Sequence, residues 1–92
     1  MVAYIYILEC SDGTYYTGWT TQVERRVAMH QRGKGARYTR ARLPVTLCYV
    51  EEVADRSLAL KREYQIKQLS RVEKARLIDS SSIGLATEMM EN

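Results

Sequence analysis

Five side chains in this sequence have chemistry that their places in the chain do not require: Tyr6, Tyr16, Arg26, His30 and Glu63. A phenol can donate or accept a proton, although its ordinary pKa near 10 leaves little phenolate at neutral pH. A guanidinium offers a planar fork of donors that suits phosphate or carboxylate. An imidazole moves protons near pH 7. A carboxylate can hold a hard divalent cation through oxygen. Together these groups suit an anionic substrate, a proton transfer and a metal, if the fold brings them to one place.

The segment "YIYILECSDGTYYTGWT", residues 4–20, reads as a β-hairpin. Residues 3–10 and 15–20 carry the alternating aromatic and β-branched character of strands. A two-residue Asp12-Gly13 turn would set Tyr6 and Tyr16 on opposite faces. A three-residue loop, Ser11-Asp12-Gly13, gives Gly13 the left-handed position of a G1 bulge. It pairs Cys10 with Thr14, Leu8 with Tyr16 and Tyr6 with Gly18. Tyr6 and Tyr16 then share a face as diagonal neighbours, roughly 7–8 Å apart at Cα. Gly18, opposite Tyr6, is expected to leave room over the sheet for a ring or a ligand. The three-residue loop is the expectation carried forward.

Thr21 and Glu24 form a capping box and Gly33 a stop, which predicts a helix of about eleven residues between them. Val23, Arg26, Val27 and His30 fall on its core-facing stripe. An arginine there must find an anion or reach water. The segment "GKGARYTRARLP" can hold a short helical turn before Pro44. The near-continuous apolar run "VTLCYVEEV" predicts a third strand in a central, two-sided position. "DRSLALKREYQIKQL" is a second long helix with Asp55 as N-cap. Its stripe of Ala59, Glu63 and Ile66, flanked by Leu60 and Tyr64, sets a carboxylate where an apolar residue would cost less. The purely structural account of Glu63 is an ion pair of the Glu63–Arg26 type, and that of Arg26 and His30 is a helix turned so that both lie at the edge of the stripe. Ser70 and Glu73 form another capping box, so a further helix follows a kink. The order is β-β-α-(α)-β-α-α, an α+β fold with a three-stranded antiparallel sheet flanked by helices. Residues 1–79 form one domain and 80–92 a weakly structured tail.

The 92 residues carry a net charge of +3. Seven of the fourteen basic residues fall between Arg25 and Arg42, with no acid among them. Arg25, Arg32, Lys34, Arg37, Arg40 and Arg42, with Tyr38 interleaved, are therefore candidates for a nucleic-acid backbone. A solvated face explains the charges alone equally well. Trp19 and Tyr38 could stack on bases, although packing is the commoner use of such rings. No apolar run approaches the roughly 20 residues of a membrane helix. No signal peptide is expected, and Cys10 and Cys48 read as buried, reduced thiols of a cytoplasmic protein. "GKGA" lacks the spacing of a P-loop.

The constellation resembles the GIY-YIG nuclease superfamily. "YIY" at Tyr4–Tyr6 stands for the first signature and "YTG" at Tyr16–Gly18 for the second. "ERRVAMH" supplies Arg26 and His30, and "LKREYQIKQL" supplies Glu63. The likeness runs from residue 3 to about residue 78 and is nearest to the small stand-alone bacterial members. Tyr4 replaces the glycine of the first signature and Thr17 the isoleucine of the second. The late asparagine of many nuclease members has no counterpart here, since Asn92 is the sole asparagine. The resemblance implies phosphodiester hydrolysis of DNA with one Mg²⁺ or Mn²⁺ held by Glu63. It also implies Tyr6 as general base, activated by Arg26, with His30 accepting its proton or holding it in place. Tyr16 would bond a phosphate oxygen, and Arg26 would clamp the non-bridging oxygens. Branched or damaged DNA and RNA stay open as substrates, as does oligomeric state. The alternative is a non-catalytic or partner-dependent nucleic-acid binding module.

Overall fold

A computed structural model describes residues 1–80. Strand β1 (Ala3–Glu9) and strand β2 (Tyr15–Thr20) form the hairpin, followed by helix α1 (Val23–Gln31) and the short helix α2 (Arg37–Arg40). Strand β3 (Thr46–Val53) and helix α3 (Arg56–Lys67) come next, then helix α4 over residues 71–80. The sheet is antiparallel throughout, in the order β2-β1-β3. The α+β architecture expected from the sequence is the one observed. The tail lies outside the described residues from position 81 onward. No described helix is long and apolar enough to cross a membrane.

The hairpin has the three-residue loop. Cys10 N–H donates to Thr14 O (2.8 Å) and Gly13 N–H to Cys10 O (2.9 Å). Gly13 takes the left-handed conformation, φ +81°, where a side chain would be strained. The register follows, with Leu8 opposite Tyr16 and Tyr6 opposite Gly18. Asp12 steadies the tip by accepting from the Thr14 N–H (3.1 Å) and hydroxyl (2.6 Å).

The parity of β1 divides the interior in two. Ala3, Ile5 and Ile7 point to one face, where they pack with Tyr49, Ala59, Ile66 and Ile78 from β3, α3 and α4. Each fully buried isoleucine there contributes roughly 1.5–3 kcal/mol. Tyr6 and Leu8 point the other way, to Cys10, Val27 and Val45 on the α1 side.

Three expectations are corrected. The central strand is β1, not β3: β1 pairs with both neighbours, while β3 lies at an edge with Leu47 and Val50 partly in solvent. An apolar run does not by itself require two covered faces. The Thr21–Glu24 capping box does not form. The N-cap is Gln22 without a side-chain cap, because Thr20 Oγ1 accepts from Gln22 N–H (3.1 Å) and turns the chain one residue later. The helix then spans nine residues, to Gln31, and Gly33 follows it with φ +78°. Finally, Cys48 is half-buried instead of buried. It donates to Ile7 O (3.3 Å), and burial pushes its thiol up to about 11. Both cysteines are free.

The later caps form as expected. Asp55 accepts from Leu58 N–H (2.9 Å) at the start of α3. Ser70 and Glu73 exchange reciprocal bonds of 2.9 and 3.1 Å at the start of α4. On α3, Ala59 and Ile66 are buried, but Leu60 and Tyr64 are exposed. The apolar stripe of α3 is therefore narrow.

Candidate active site

Tyr6, Tyr16 and His30 meet on the α1 face of the sheet. The Tyr6 ring is 6.4 Å from that of Tyr16 and 5.6 Å from the imidazole, and Tyr16 is 5.1 Å from the imidazole. The hairpin register brings the two tyrosines to one face, and α1 lays His30 against them one turn after Arg26. The Tyr6 hydroxyl and His30 Nε2 are 2.8 Å apart, and both side chains are almost wholly out of solvent.

Gly18 leaves room for a ring and not for a ligand, and the ring is that of Tyr6. A Cβ at this position would come within 2.5 Å of the Tyr6 hydroxyl and 2.7 Å of Cζ. The room over the sheet is filled by Tyr6 itself, so the glycine seats the phenol.

Thr39 and Gly35 belong to this site and were missed by the sequence reading. Thr39 Oγ1 lies 2.8 Å from His30 Nδ1 and 3.1 Å from Ala36 O. A carbonyl oxygen has no proton to give, so the hydroxyl must donate to Ala36 O. Thr39 therefore accepts from Nδ1–H. In the neutral ring that leaves Nε2 as the acceptor, and Tyr6 O–H donates to it. The chain runs Tyr6 to His30 to Thr39 to Ala36 O, with each proton placed. Gly35 completes the enclosure, because a Cβ there would collide with His30 Nδ1 and Cγ. A faint signal was present in "GKGARYT": Gly33 already ends α1, which leaves Gly35 with no turn to make.

The charges favour a neutral resting state. Burial and the nearby Arg26 guanidinium hold His30 below its ordinary pKa. Burial raises Tyr6; Arg26 beside it lowers the pKa, while the charges of Tyr16 and Glu63 raise it. The activation of Tyr6 by Arg26 expected from the sequence is thus present but outweighed by desolvation. Tyr16 is raised for the same first reason. A buried phenol of this kind loses its proton only when an acceptor is in contact, and His30 Nε2 is that acceptor.

Arg26 is the unsatisfied member. It is partly buried, and its Nε is closed from solvent without a hydrogen-bond partner. Among the described residues it makes no ion pair; Glu63 pairs with Lys67 (3.8 Å) instead. Arg26 lines a cavity of about 370 Å³ with Thr20, Thr21, Gln22, Arg25 and Met29. A part-buried guanidinium without an acid partner can receive an anion.

Glu63 comes from α3, with its side chain four-fifths covered, and its charge reaches both tyrosines. Among the described residues, no three His, Cys, Asp or Glu side chains converge. A metal here would have Glu63 as its one protein carboxylate, a hard oxygen donor suited to Mg²⁺ or Mn²⁺. The donor set fits such an ion only when substrate and water complete its shell.

The basic segment divides into two groups. Arg25, Arg32, Lys34, Arg37 and Arg40 are exposed. Arg42 and Tyr38 instead clasp the hairpin tip. Arg42 pairs with Asp12 (3.0 Å), donates to Tyr38 O (3.0 Å) and lies 3.8 Å over the Tyr38 ring. Tyr38 donates to Thr14 Oγ1 (2.7 Å) and stacks on Tyr16 (6.1 Å, 27°). Trp19 packs against the apolar cluster beneath Arg56.

A two-tyrosine hairpin, an Arg–His helix and a glutamate from a later helix define a class. The chain belongs to the GIY-YIG catalytic domain family, whose model matches residues 2–76. Among relatives, it is 60% identical to a UPF0213 protein of Halobacterium salinarum, over 80% of this chain and 96% of that one. It is 48% identical to a UPF0213 protein of Bacillus cereus, over 90% and 86%. Two solution NMR structures resemble it. One is a UPF0213 protein from Bacillus halodurans, at TM-score 0.56, 47% identity, and 86% and 84% coverage. The other is a protein from E. faecalis, at 0.61, 38%, and 90% and 88%.

Proposed function

We propose that this domain hydrolyses phosphodiester bonds of DNA as a divalent-metal-dependent endonuclease. The observation that carries the reading is Arg26, a part-buried cation with an unpartnered Nε beside a phenol already bonded to a neutral imidazole. Membership of a family of catalytic domains supports it.

In this reading Arg26 grips the non-bridging oxygens of the scissile phosphate and stabilises the charge that grows on them. Tyr6 takes a proton from the attacking water while passing its own to His30 Nε2. The arrangement avoids a free phenolate, which burial disfavours. Thr39 holds the ring so that Nε2 presents its lone pair. Tyr16 donates to a phosphate oxygen. A metal bound at Glu63 would supply further neutralisation of the phosphate. Arg25, Arg32, Lys34, Arg37 and Arg40 hold the backbone without reading sequence.

The test is a cleavage panel of duplex, single-stranded, flap and branched DNA, with RNA as a comparison, in Mg²⁺ or Mn²⁺. Wild type is expected to cut at least one DNA substrate and Glu63→Ala none. Equal cutting by both proteins would trace the activity to a contaminant. Salt-dependent binding without cleavage of any substrate would favour a non-catalytic binding module.

A further inference from the structure

The free edge of β2 carries a second basic cluster, outside the acid-free stretch from Arg25 to Arg42. A cavity of about 220 Å³ is lined by Tyr15, Tyr16, Thr17, Tyr38, Lys67 and Lys74. Next to it is a cavity of about 190 Å³, which shares Tyr15 and Lys74 and adds Thr14 and Arg71. Among the described residues, no acidic one lines either cavity. Three cations from α3 and α4 therefore converge on one strand edge. Burial holds the Lys74 ammonium below its ordinary pKa, and the nearby charge of Lys67 lowers it further. Described acids lie to the sides: Glu63 pairs with Lys67, and Glu9 and Asp79 act on Tyr15.

Two further observations mark this edge as a ligand site. Thr17 lines the larger cavity, is 3% exposed, and its Oγ1 has no hydrogen-bond partner. Tyr16 forms a wall of the same cavity while its ring packs against His30 and Tyr6. The cluster is thus contiguous with the candidate active site, with Tyr16 between them. Arg25 and Arg26 line the cavity at the start of α1. Cations on both sides of the tyrosines would lie along a chain of phosphates crossing them.

We propose that Lys67, Arg71 and Lys74, with the Thr17 hydroxyl, form a subsite for a backbone phosphate of the nucleic-acid strand next to the one being cut. The subsite rests on the nuclease reading. It assigns α3 and α4 a role in holding the strand, which the basic segment alone would not give them. The strand would pass over Tyr16 with one phosphate on Arg26 and another on the lysines. Lys67 also serves Glu63, so Lys74 and Arg71 are the cleaner probes.

The experiment is fluorescence anisotropy of an end-labelled single-stranded DNA oligonucleotide, over a range of NaCl, with wild type, Lys74→Gln/Arg71→Gln and Lys74→Arg/Arg71→Lys. The expected result for the glutamine pair is a loss of affinity of roughly ten- to a hundredfold. Two lost phosphate contacts should also flatten the log K against log [salt] slope by about 1.4. The charge-retaining pair should restore both. An amide NMR spectrum of each variant checks the fold, and the charge-retaining pair keeps the test decisive if the glutamine pair fails to fold. Unchanged affinity and slope for the glutamine pair would overturn the subsite while leaving the nuclease reading intact. So would a loss that retained charge does not repair. If wild type neither binds nor cuts DNA, the nuclease reading fails and the subsite with it.

Discussion

The two faces of the same three-stranded sheet are built for different purposes. Toward α3 and α4, β1 presents Ala3, Ile5 and Ile7 to a cluster whose described buried members carry one hydroxyl, that of Tyr49. That hydroxyl is bonded to Glu51 (2.6 Å), which is itself paired with Arg62 (2.7 Å). Toward α1, the alternate positions present Tyr6 to His30 and, through it, to Thr39. On the first face this pairing closes the Tyr49 hydroxyl, and the buried Thr17 Oγ1, opposite Ile7, is left without a partner. The second links Tyr6, His30 and Thr39 in one hydrogen-bonded chain and leaves Arg26 Nε buried without a partner. On the proposed reading, strand parity separates the fold's apolar core from its chemistry, and the sharpest predictions come from disturbing one face while measuring the other.

The largest effect on stability should come from the apolar face. Ile66→Ala removes a fully buried side chain at α3 and should cost about 2–5 kcal/mol in urea denaturation. Cleavage per folded molecule should stay at the wild-type value. A rate loss beyond the unfolded fraction would mean that the faces are coupled.

Gly18→Ala is the mirror experiment. The added Cβ must displace the Tyr6 ring, at a cost of about 1–3 kcal/mol. Its rate loss should exceed what that destabilisation explains, since the displaced group carries the proton in the proposed mechanism. Near-UV circular dichroism would report the moved tyrosine.

Thr39→Val should cost about 1–3 kcal/mol by stranding the His30 Nδ1–H. Its signature is the ¹⁵N shift pattern of the single histidine in the chain. Wild type should show the Nδ1–H tautomer. The valine variant should show a mixture with slower cleavage, and Thr39→Ser should restore both. A wild-type Nε2–H tautomer would reverse the proton order derived for the site.

The smallest effect is on pH dependence. His30 is held neutral in the fold, with its pKa below the ordinary value. In the unfolded chain it takes a proton below about pH 6.5. The unfolded state therefore binds the extra proton, and stability falls as pH drops from there toward the lowered native value. The slope from this one group is at most about 1.4 kcal/mol per pH unit. Urea melts of wild type and His30→Gln should differ in this slope; equal slopes would mean that the histidine is not held neutral.

What could be read in advance was local. Loop parity at Ser11-Asp12-Gly13 was enough to place Tyr6 and Tyr16 on one face, because the side-chain period of a strand is fixed. Asp55, Ser70 and Glu73 marked their helix ends by short-range bonds. What could not be read depended on the tertiary neighbours. The run "VTLCYVEEV" looked central, but pairing, not hydropathy, put β1 in the middle. The effect of Arg26 on Tyr6 had the right sign, yet the depth of burial that overrides it is not a sequence property. Thr39 gave no warning, since a four-residue helix is too short for periodicity to reveal which side chain turns inward. Tyr38 and Arg42 looked like free nucleic-acid contacts until the fold placed Asp12 and Thr14 beside them.

The most direct test of the central claim is the single-turnover cleavage rate of Tyr6→Phe against wild type, on whichever DNA substrate wild type cuts, with the folded fraction of each measured alongside. Losing the hydroxyl proposed to take the proton should slow cleavage by about 10²–10³. The native state should lose only about 1–3 kcal/mol for the unpaired imidazole. A Tyr6→Phe protein that cuts at the wild-type rate would contradict the account, because its buried hydroxyl would then be structural alone.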